Sequence, residues 1–230
     1  DYMVCEFTGE TVKNLSMDER MVLTNMTAEV GAKTGIIEPD KTTLNFLSSK
    51  VSEKIDMDLA SDKNANYSSI QEFDANILEP QVAAPHSPAN SKNLSNFEGT
   101  NIDQAYIGAC TGAKLEDLQM AATVLKGKNC SKNTRLLVAP ASARITAAAA
   151  ADGTLETLTE SGAIMLPSGC GACAGLGAGI LSNKEVCIST TNRNFKGRMG
   201  DQEAEVYLGS PYTVAAAAVA GRIIDPRDIT

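Results

Sequence analysis

Residues 101–127 read NIDQAYIGACTGAKLEDLQMAATVLKG. Gln104 to Gly108 is a short apolar run of strand character, and Leu115 to Lys126 is an amphipathic helical pattern. Between them the chain turns through small residues and presents Cys110. This strand–turn–helix step recurs downstream. Arg135 to Ala139 (RLLVA) predicts a buried strand, and Ser142 to Ala151 an alanine-rich helix that Leu155 to Ser161 continues or follows. Ala163 to Leu166 and Glu185 to Ser189 predict two more strands, and Pro211 to Ala220 a last helix. The Ala147–Ala151 run is good helix sequence rather than disorder. Strands separated by helices need right-handed crossovers, so the expected fold is α/β, three αβα layers around a mostly parallel sheet. Ligand groups in such a fold sit on loops beyond the carboxyl ends of the strands. Cys110 follows the first strand, Cys170 and Cys173 the third, and Asn192-Arg193-Asn194 the fourth. These groups are expected to converge on one edge.

The residues before this region read differently. Leu15 to Lys33 carries Met17, Met21, Met26 and Val30 at helical spacing, with Ser16 and Glu19 as a capping box and Gly35 beyond the end. Asp40 to Lys50, preceded by Pro39, predicts a second helix. Lys50 to Ala65 is polar and only weakly periodic, a surface helix or loop. Asn66 to Gly99, with Pro80, Pro85 and Pro88 among Ser and Asn, predicts an irregular crossing segment and the domain boundary. Two domains are expected, 1–98 and 99–230.

The chain has 230 residues, 43% of them hydrophobic, and a formal charge of −8. That length supports a real core, and the acidic balance argues against a nucleic-acid surface. No apolar run approaches the roughly 18 residues of a membrane span. Residue 1 is Asp, and no secretory pattern follows it. Six cysteines (5, 110, 130, 170, 173 and 187) are sparse in a chain of this length. They fit reduced thiols in a cytoplasmic protein better than a disulfide scaffold. There is no Trp, and His86 is the single histidine. It follows VAAP and reads as a structural loop residue.

The run LPSGCGACAGLGAG, Leu166 to Gly179, holds Cys170 and Cys173 three apart. A C-x-x-C alone is compatible with a redox pair, half a zinc site, tight packing or a cluster ligand pair. Redox pairs usually open a helix near the start of a small domain, whereas this one lies late, between glycines. Structural zinc wants four ligands. Cys130 and Cys187 are the spare thiols, and Cys187 falls in an apolar strand where burial explains it. Three thiolates, Cys110, Cys170 and Cys173, suit an iron–sulfur cluster with one iron left open as a Lewis acid.

GACTGAKLEDL (Gly108–Leu118), SGCGAC (Ser168–Cys173) and TNRNFKGRMG (Thr191–Gly200) stand in the order of the aconitase family. TNMTAEVGA (Thr24–Ala32), LEPQVAAPHSP (Leu78–Pro88) and YLGSPYTVAAAAVAGRIIDPR (Tyr207–Arg227) extend the resemblance over nearly the whole chain. Within the family it is strongest to the 3-isopropylmalate dehydratase and homoaconitase large subunits, in their C-terminal, cluster-binding part. The resemblance implies aconitase-like domains, incomplete at the N-terminus. It also implies dehydration and rehydration of a hydroxy di- or tricarboxylic acid, 3-isopropylmalate in leucine biosynthesis being the first expectation. Homocitrate-type and 2,3-dimethylmalate substrates are alternatives, as is a non-catalytic metal-binding remnant.

It implies one [4Fe-4S] cluster per subunit on Cys110, Cys170 and Cys173. Asn25 and Glu29 correspond to a pair near the cluster and substrate; at i and i+4 they would share one helix face. Asn192 and Arg193 correspond to residues beside the cluster, and Arg193 and Arg198 to arginines that serve the substrate carboxylates, as bidentate forks do. Surface ion pairs for the arginines and a solvated face for Glu29 are the plainer readings. Ala109 replaces the family's usual serine, and Gly112 its usual asparagine. The resemblance further implies a separate small subunit carrying the catalytic serine, and an upstream domain supplying histidine and aspartate. The isolated chain is therefore expected to be inactive.

Overall fold

The computed structural model describes residues 2–48, 50–53, 55 and 59–229. They form two compact units, Asp1–Leu78 and Glu79–Thr230; this division falls inside the crossing segment but earlier than the expected one between residues 98 and 99, so most of that segment packs with the larger unit.

In the smaller unit β1 (Val4–Glu6) pairs in parallel with β2 (Thr34–Ile36). Between them run α1 (Glu10–Asn14) and α2 (Met17–Met26). The predicted capping box is present: Glu19 N–H donates to Ser16 Oγ at 3.2 Å, and Ser16 N–H to Glu19 Oε2 at 2.9 Å. The predicted helical run to Lys33 does not form. The chain tightens into a 3₁₀ turn over Thr27–Val30 and ends at Gly31, whose φ of 79° only glycine adopts readily. The reason is packing. Gly35 of β2 lies so close that a Cβ there would stand 2.7 Å from Thr27 Cγ2 and 2.9 Å from Thr24 Cα. Asn25 is therefore on α2 and Glu29 on the 3₁₀ turn, and the two do not share the face of one α-helix as expected.

The second predicted helix is α3 (Lys41–Ser48), with Thr43 N–H donating to Asp40 Oδ1 at 3.1 Å. Buried Arg20 ties the starts of α2 and α3 together. Its guanidinium grips both Asp40 oxygens, at 2.8 and 2.7 Å, and donates to the carbonyls of Lys13 and Leu15. These hydrogen bonds from Arg20 hold the Asp40 carboxyl down to about 2. Of the segment read as surface helix or loop, 54 and 56–58 lie outside the described residues; the rest has no helix or strand.

The larger unit opens with an antiparallel pair, β3 (Gln81–Ala83) and β4 (Ser91–Asn93), in the proline-rich stretch read as irregular. There follow β5 (Gln104–Ile107), α4 (Ala109–Gly112), α5 (Leu115–Leu125), β6 (Arg135–Val138), α6 (Ala143–Ala151) and α7 (Thr154–Glu160). Then come β7 (Ile164–Met165), β8 (Val186–Ser189), β9 (Glu205–Leu208) and α8 (Pro211–Ala220). The strand order is β4-β3-β9-β8-β5-β6-β7. The five strands from β9 to β7 are parallel, and the β3–β4 pair is added antiparallel at one edge. This is the expected α/β architecture with a mostly parallel sheet. β9 was not expected; it inserts between β8 and the hairpin.

Strand alternation divides the core. Ala105, Ile107, Leu136, Val138 and Ile188 face a layer made by α5, α7 and α8. The run of small residues from Ala215 to Ala218 on α8 is wholly buried, which lets α8 approach both α5 and the sheet closely. Tyr106, Leu137, Cys187, Val206 and Leu208 face the other way. Their cover includes Ala172, Cys173, Leu181 and Met199, from loops that include a 3₁₀ turn at Gly171–Ala174. The cysteine loop is thus itself the outer layer on this face.

Candidate functional site

The site is built on the carboxyl end of β5. Gly108 continues the strand in extended backbone, and Ala109 then takes a left-handed φ of 69°, swinging the chain into the single turn α4 that carries Cys110. Two close approaches require this glycine-rich turn. A Cβ on Gly108 would lie 2.1 Å from Tyr106 Cε1. One on Gly112 would lie 2.2 Å from Thr190 Cβ and 2.4 Å from the Thr190 carbonyl. Gly112 is therefore the residue this packing admits.

Thr190, just past β8, staples the turn. Its hydroxyl accepts from Gly108 N–H at 2.9 Å and stands 2.9 Å from the Gly112 carbonyl, while Thr111 Oγ1 donates to the Thr190 carbonyl at 3.1 Å. Below the turn Lys114 and Asp117, both buried, pair at 2.6 Å. Lys114 Nζ also donates to the Thr111 carbonyl at 2.7 Å, and Asp117 Oδ2 accepts from Lys114 N–H at 2.9 Å.

Cys170 and Cys173 follow β7. Gly169 and Gly171 take φ of 139° and 47°, and the chain closes with Cys173 N–H donating to the Cys170 carbonyl at 3.0 Å. Two residues of β5 reach this loop from beneath. Tyr106, fully buried, donates its hydroxyl to the same Cys170 carbonyl at 3.3 Å. Gln104, also fully buried, donates Nε2 to the Gly179 carbonyl at 2.9 Å. Gln104 Oε1 in turn accepts from Arg135 at 3.2 and 3.1 Å, and Arg135 pairs with Glu185 at 2.8 Å. Burial pushes Tyr106 up to about 12, with the neighbouring Cys173 adding to it.

Cys110 and Cys170 are exposed, whereas Cys173 is buried. Burial raises the Cys173 thiol; the Arg198 guanidinium beside it pulls the other way, and the other two thiols, Cys170 and Cys110, raise it further. The three cysteines and Arg198 thus share one electrostatic neighbourhood. Arg198 Nε is buried without a hydrogen-bond partner. Asn194 is fully buried; its amide donates to the Ala84 and Val206 carbonyls at 2.8 and 3.0 Å, tying the loop after β8 to β9 and the hairpin. Asn192 and Arg193 precede it on the same loop, half-buried. Cys187 lies in β8 under the sheet face, its thiol pushed to about 12 by burial, and Cys130 contacts the Thr134 and Ala218 carbonyls. Both are packing cysteines, as expected for Cys187. Asn25 and Glu29 belong to the smaller unit.

Among the described residues no three Cys, His, Asp or Glu side chains come together as ligands of one metal ion. A multi-iron cluster makes a different demand. Each thiolate binds its own iron, so the ligand sulfurs stand farther apart than around a single ion. Three thiols on two glycine-rich turns and an orphaned guanidinium N–H beside one of them fit that donor chemistry. Tyr106, Gln104 and Thr190 escaped the sequence reading. Tyr106 and Gln104 were discoverable from alternation, which turns both away from the Ala105–Ile107 face. Thr190 meets the turn only through tertiary contact.

Residues 2–221 match the model of the aconitase family, described as aconitate hydratase. The chain is 46% identical over 230 residues to 3-isopropylmalate dehydratase large subunit 1 of Pyrococcus furiosus, covering 99% of the chain and 54% of the relative. It is 44% identical to 3-isopropylmalate dehydratase large subunit 2 of Archaeoglobus fulgidus, over 99% of the chain and 55% of the relative. It is 46% identical to the "Probable methanogen homoaconitase large subunit" of Methanosarcina mazei, over 99% and 57%. The chain spans about half the length of the curated relatives it matches. With a family match over nearly its whole length, on the same strand-end turns that carry the three thiols, the chain belongs to the aconitase family.

Proposed function

We propose that the chain is the cluster-bearing part of a hydro-lyase large subunit, working on a hydroxy di- or tricarboxylic acid in the cytoplasm. 3-Isopropylmalate is the first candidate, on the names of the relatives, and the homoaconitase relative makes a longer tricarboxylic acid the second. The observation that supports the reading is that Cys110 and the Cys170–Cys173 pair stand on turns beyond the carboxyl ends of the parallel strands β5 and β7, with the Arg198 guanidinium beside Cys173.

Cys110, Cys170 and Cys173 would hold a [4Fe-4S] cluster. Such a cluster, with one iron lacking a protein ligand, supplies a Lewis acid for a substrate hydroxyl. The chain's own residues supply binding and orientation. Arg193 and Arg198 would take substrate carboxylates as planar forks, and Asn192 would orient groups beside them. Asn25 and Glu29 are proposed as catalytic residues on the strength of the family membership. No group among these is an evident base for the proton on the carbon next to a carboxylate. That role is proposed for the serine of a separate small subunit; "large subunit" in the relatives' names supports such a partner.

Anaerobic reconstitution with ferrous iron and sulfide tests the reading directly. The wild-type chain is expected to gain a broad visible absorption and about four irons per chain. Cys170→Ser is expected to lose both. Equal iron and absorption in that variant would remove Cys170 from the ligand set. Hydratase activity is expected only once an upstream segment and a small subunit are supplied, and turnover by these 230 residues alone would overturn the partner requirement.

A further inference from the structure

We infer that Tyr106 is a positioning residue for the cysteine set, holding the Cys170–Cys173 turn in place from beneath; this rests on the cluster reading above. Three observations converge on it. First, Tyr106 stands on β5, the strand that ends in the Cys110 turn, so one residue addresses both cysteine-bearing segments. Its ring lies against Gly108, where a Cβ would stand 2.1 Å from the ring, and its hydroxyl lies 3.4 Å from the Cβ position of Gly171. The ring thus fills the space between the two turns.

Second, its hydroxyl donates to the Cys170 carbonyl, which already accepts from Cys173 N–H. That carbonyl closes the C-x-x-C turn, so the hydroxyl acts on the relative placement of the two cysteines. Third, Tyr106 is fully exposed to neither solvent nor the site: it is wholly buried, among Ala109, Leu137, Ala172 and Cys173. It cannot touch substrate, and it acts through the turn. Gln104, two residues earlier on the same face, holds the far end of the loop at Gly179. The strand therefore pins the loop at both ends, at the cysteines through Tyr106.

The test is Tyr106→Phe, which removes only the hydroxyl, with Tyr207→Phe as control. Tyr207 lies in the opposite core against Phe97 and touches neither turn. Wild-type and variant chains are reconstituted with iron and sulfide, and loss of the visible band is followed in excess ferrous chelator. One neutral hydrogen bond, long at 3.3 Å, predicts loss about threefold to fivefold faster in Tyr106→Phe and unchanged in Tyr207→Phe. Melting of the iron-free forms is measured alongside, and Tyr106→Phe is expected within about 3 °C of wild type, as a loss near the low end of a single hydrogen bond allows. Equal loss rates in wild type and Tyr106→Phe overturn the inference. So does an iron-free variant that fails to fold or melts far below wild type, since the hydroxyl would then serve the core at large. If the wild-type chain itself takes up no iron, it is the cluster reading that falls.

Discussion

Gly108→Ala isolates the packing that places Cys110. Gly108 has extended backbone, φ −165°, so alanine meets no conformational penalty and the effect is steric alone. The new Cβ would stand 2.1 Å from Tyr106 Cε1, 2.5 Å from Cζ and 2.7 Å from the hydroxyl oxygen. Carbon atoms in contact sit about 3.5 Å apart, so the ring must retreat by roughly 1.4 Å. It has no free space to enter, being wholly buried beneath Ala172 and Cys173. Overpacking of this kind costs about 1–3 kcal/mol, and the stiffer unfolded chain returns about 0.4–1 kcal/mol. The net loss is about 1–2 kcal/mol, or about 2–8 °C in melting for a unit of this size. Thermal melting followed by far-ultraviolet circular dichroism measures it. Because the strain is shared between two side chains, Tyr106→Leu in the same molecule should relieve much of it, a coupling readable in a double-mutant cycle. A Gly108→Ala chain melting with or above wild type would refute the reasoning, as would an undiminished loss in the Tyr106→Leu background.

Two further outcomes follow from the charges. Asp40 has its folded pKa depressed to about 2 by Arg20, so its contribution is present above the ordinary carboxylate value near 4 and disappears as pH falls through 2. Asp40→Asn should flatten the acid limb of unfolding of the smaller unit in that window; an unchanged limb would place the acid sensitivity elsewhere. Lys114→Met should destabilise the larger unit by about 3 kcal/mol, because Asp117 is left buried beside no cation, and the pair Lys114→Met with Asp117→Leu should recover most of the loss. Chemical denaturation checks both, and a double variant no better than Lys114→Met would count against the buried-pair explanation.

Much of the fold was legible in the chain. The strand–turn–helix step at 101–127 and its recurrence specified β5, α5, β6, α6, α7, β7, β8 and α8, because burial on both faces leaves apolar runs and amphipathic helices that pattern reveals. The capping box at Ser16 was visible because it is a local hydrogen-bond pair. The three cysteines at strand ends, and their family motifs, were visible because residue type and order survive in one dimension. Tertiary structure decided the rest. The α-helix after Ser16 stops at Met26, and the 3₁₀ turn that follows closes at Gly31, short of the Lys33 expected, where β2 packs against Thr27, a contact no periodicity encodes. β9 and the β3–β4 hairpin are three or four residues long, and they exist through pairing with strands distant in sequence. The same is true of Thr190 on the Cys110 turn and of Tyr106 under the Cys170 carbonyl. The sequence by itself determined which residues carry chemistry and the class of fold that gathers them. Only the tertiary structure decided which buried neighbours hold those residues in place, because close approach between distant segments is a property of packing and not of order along the chain.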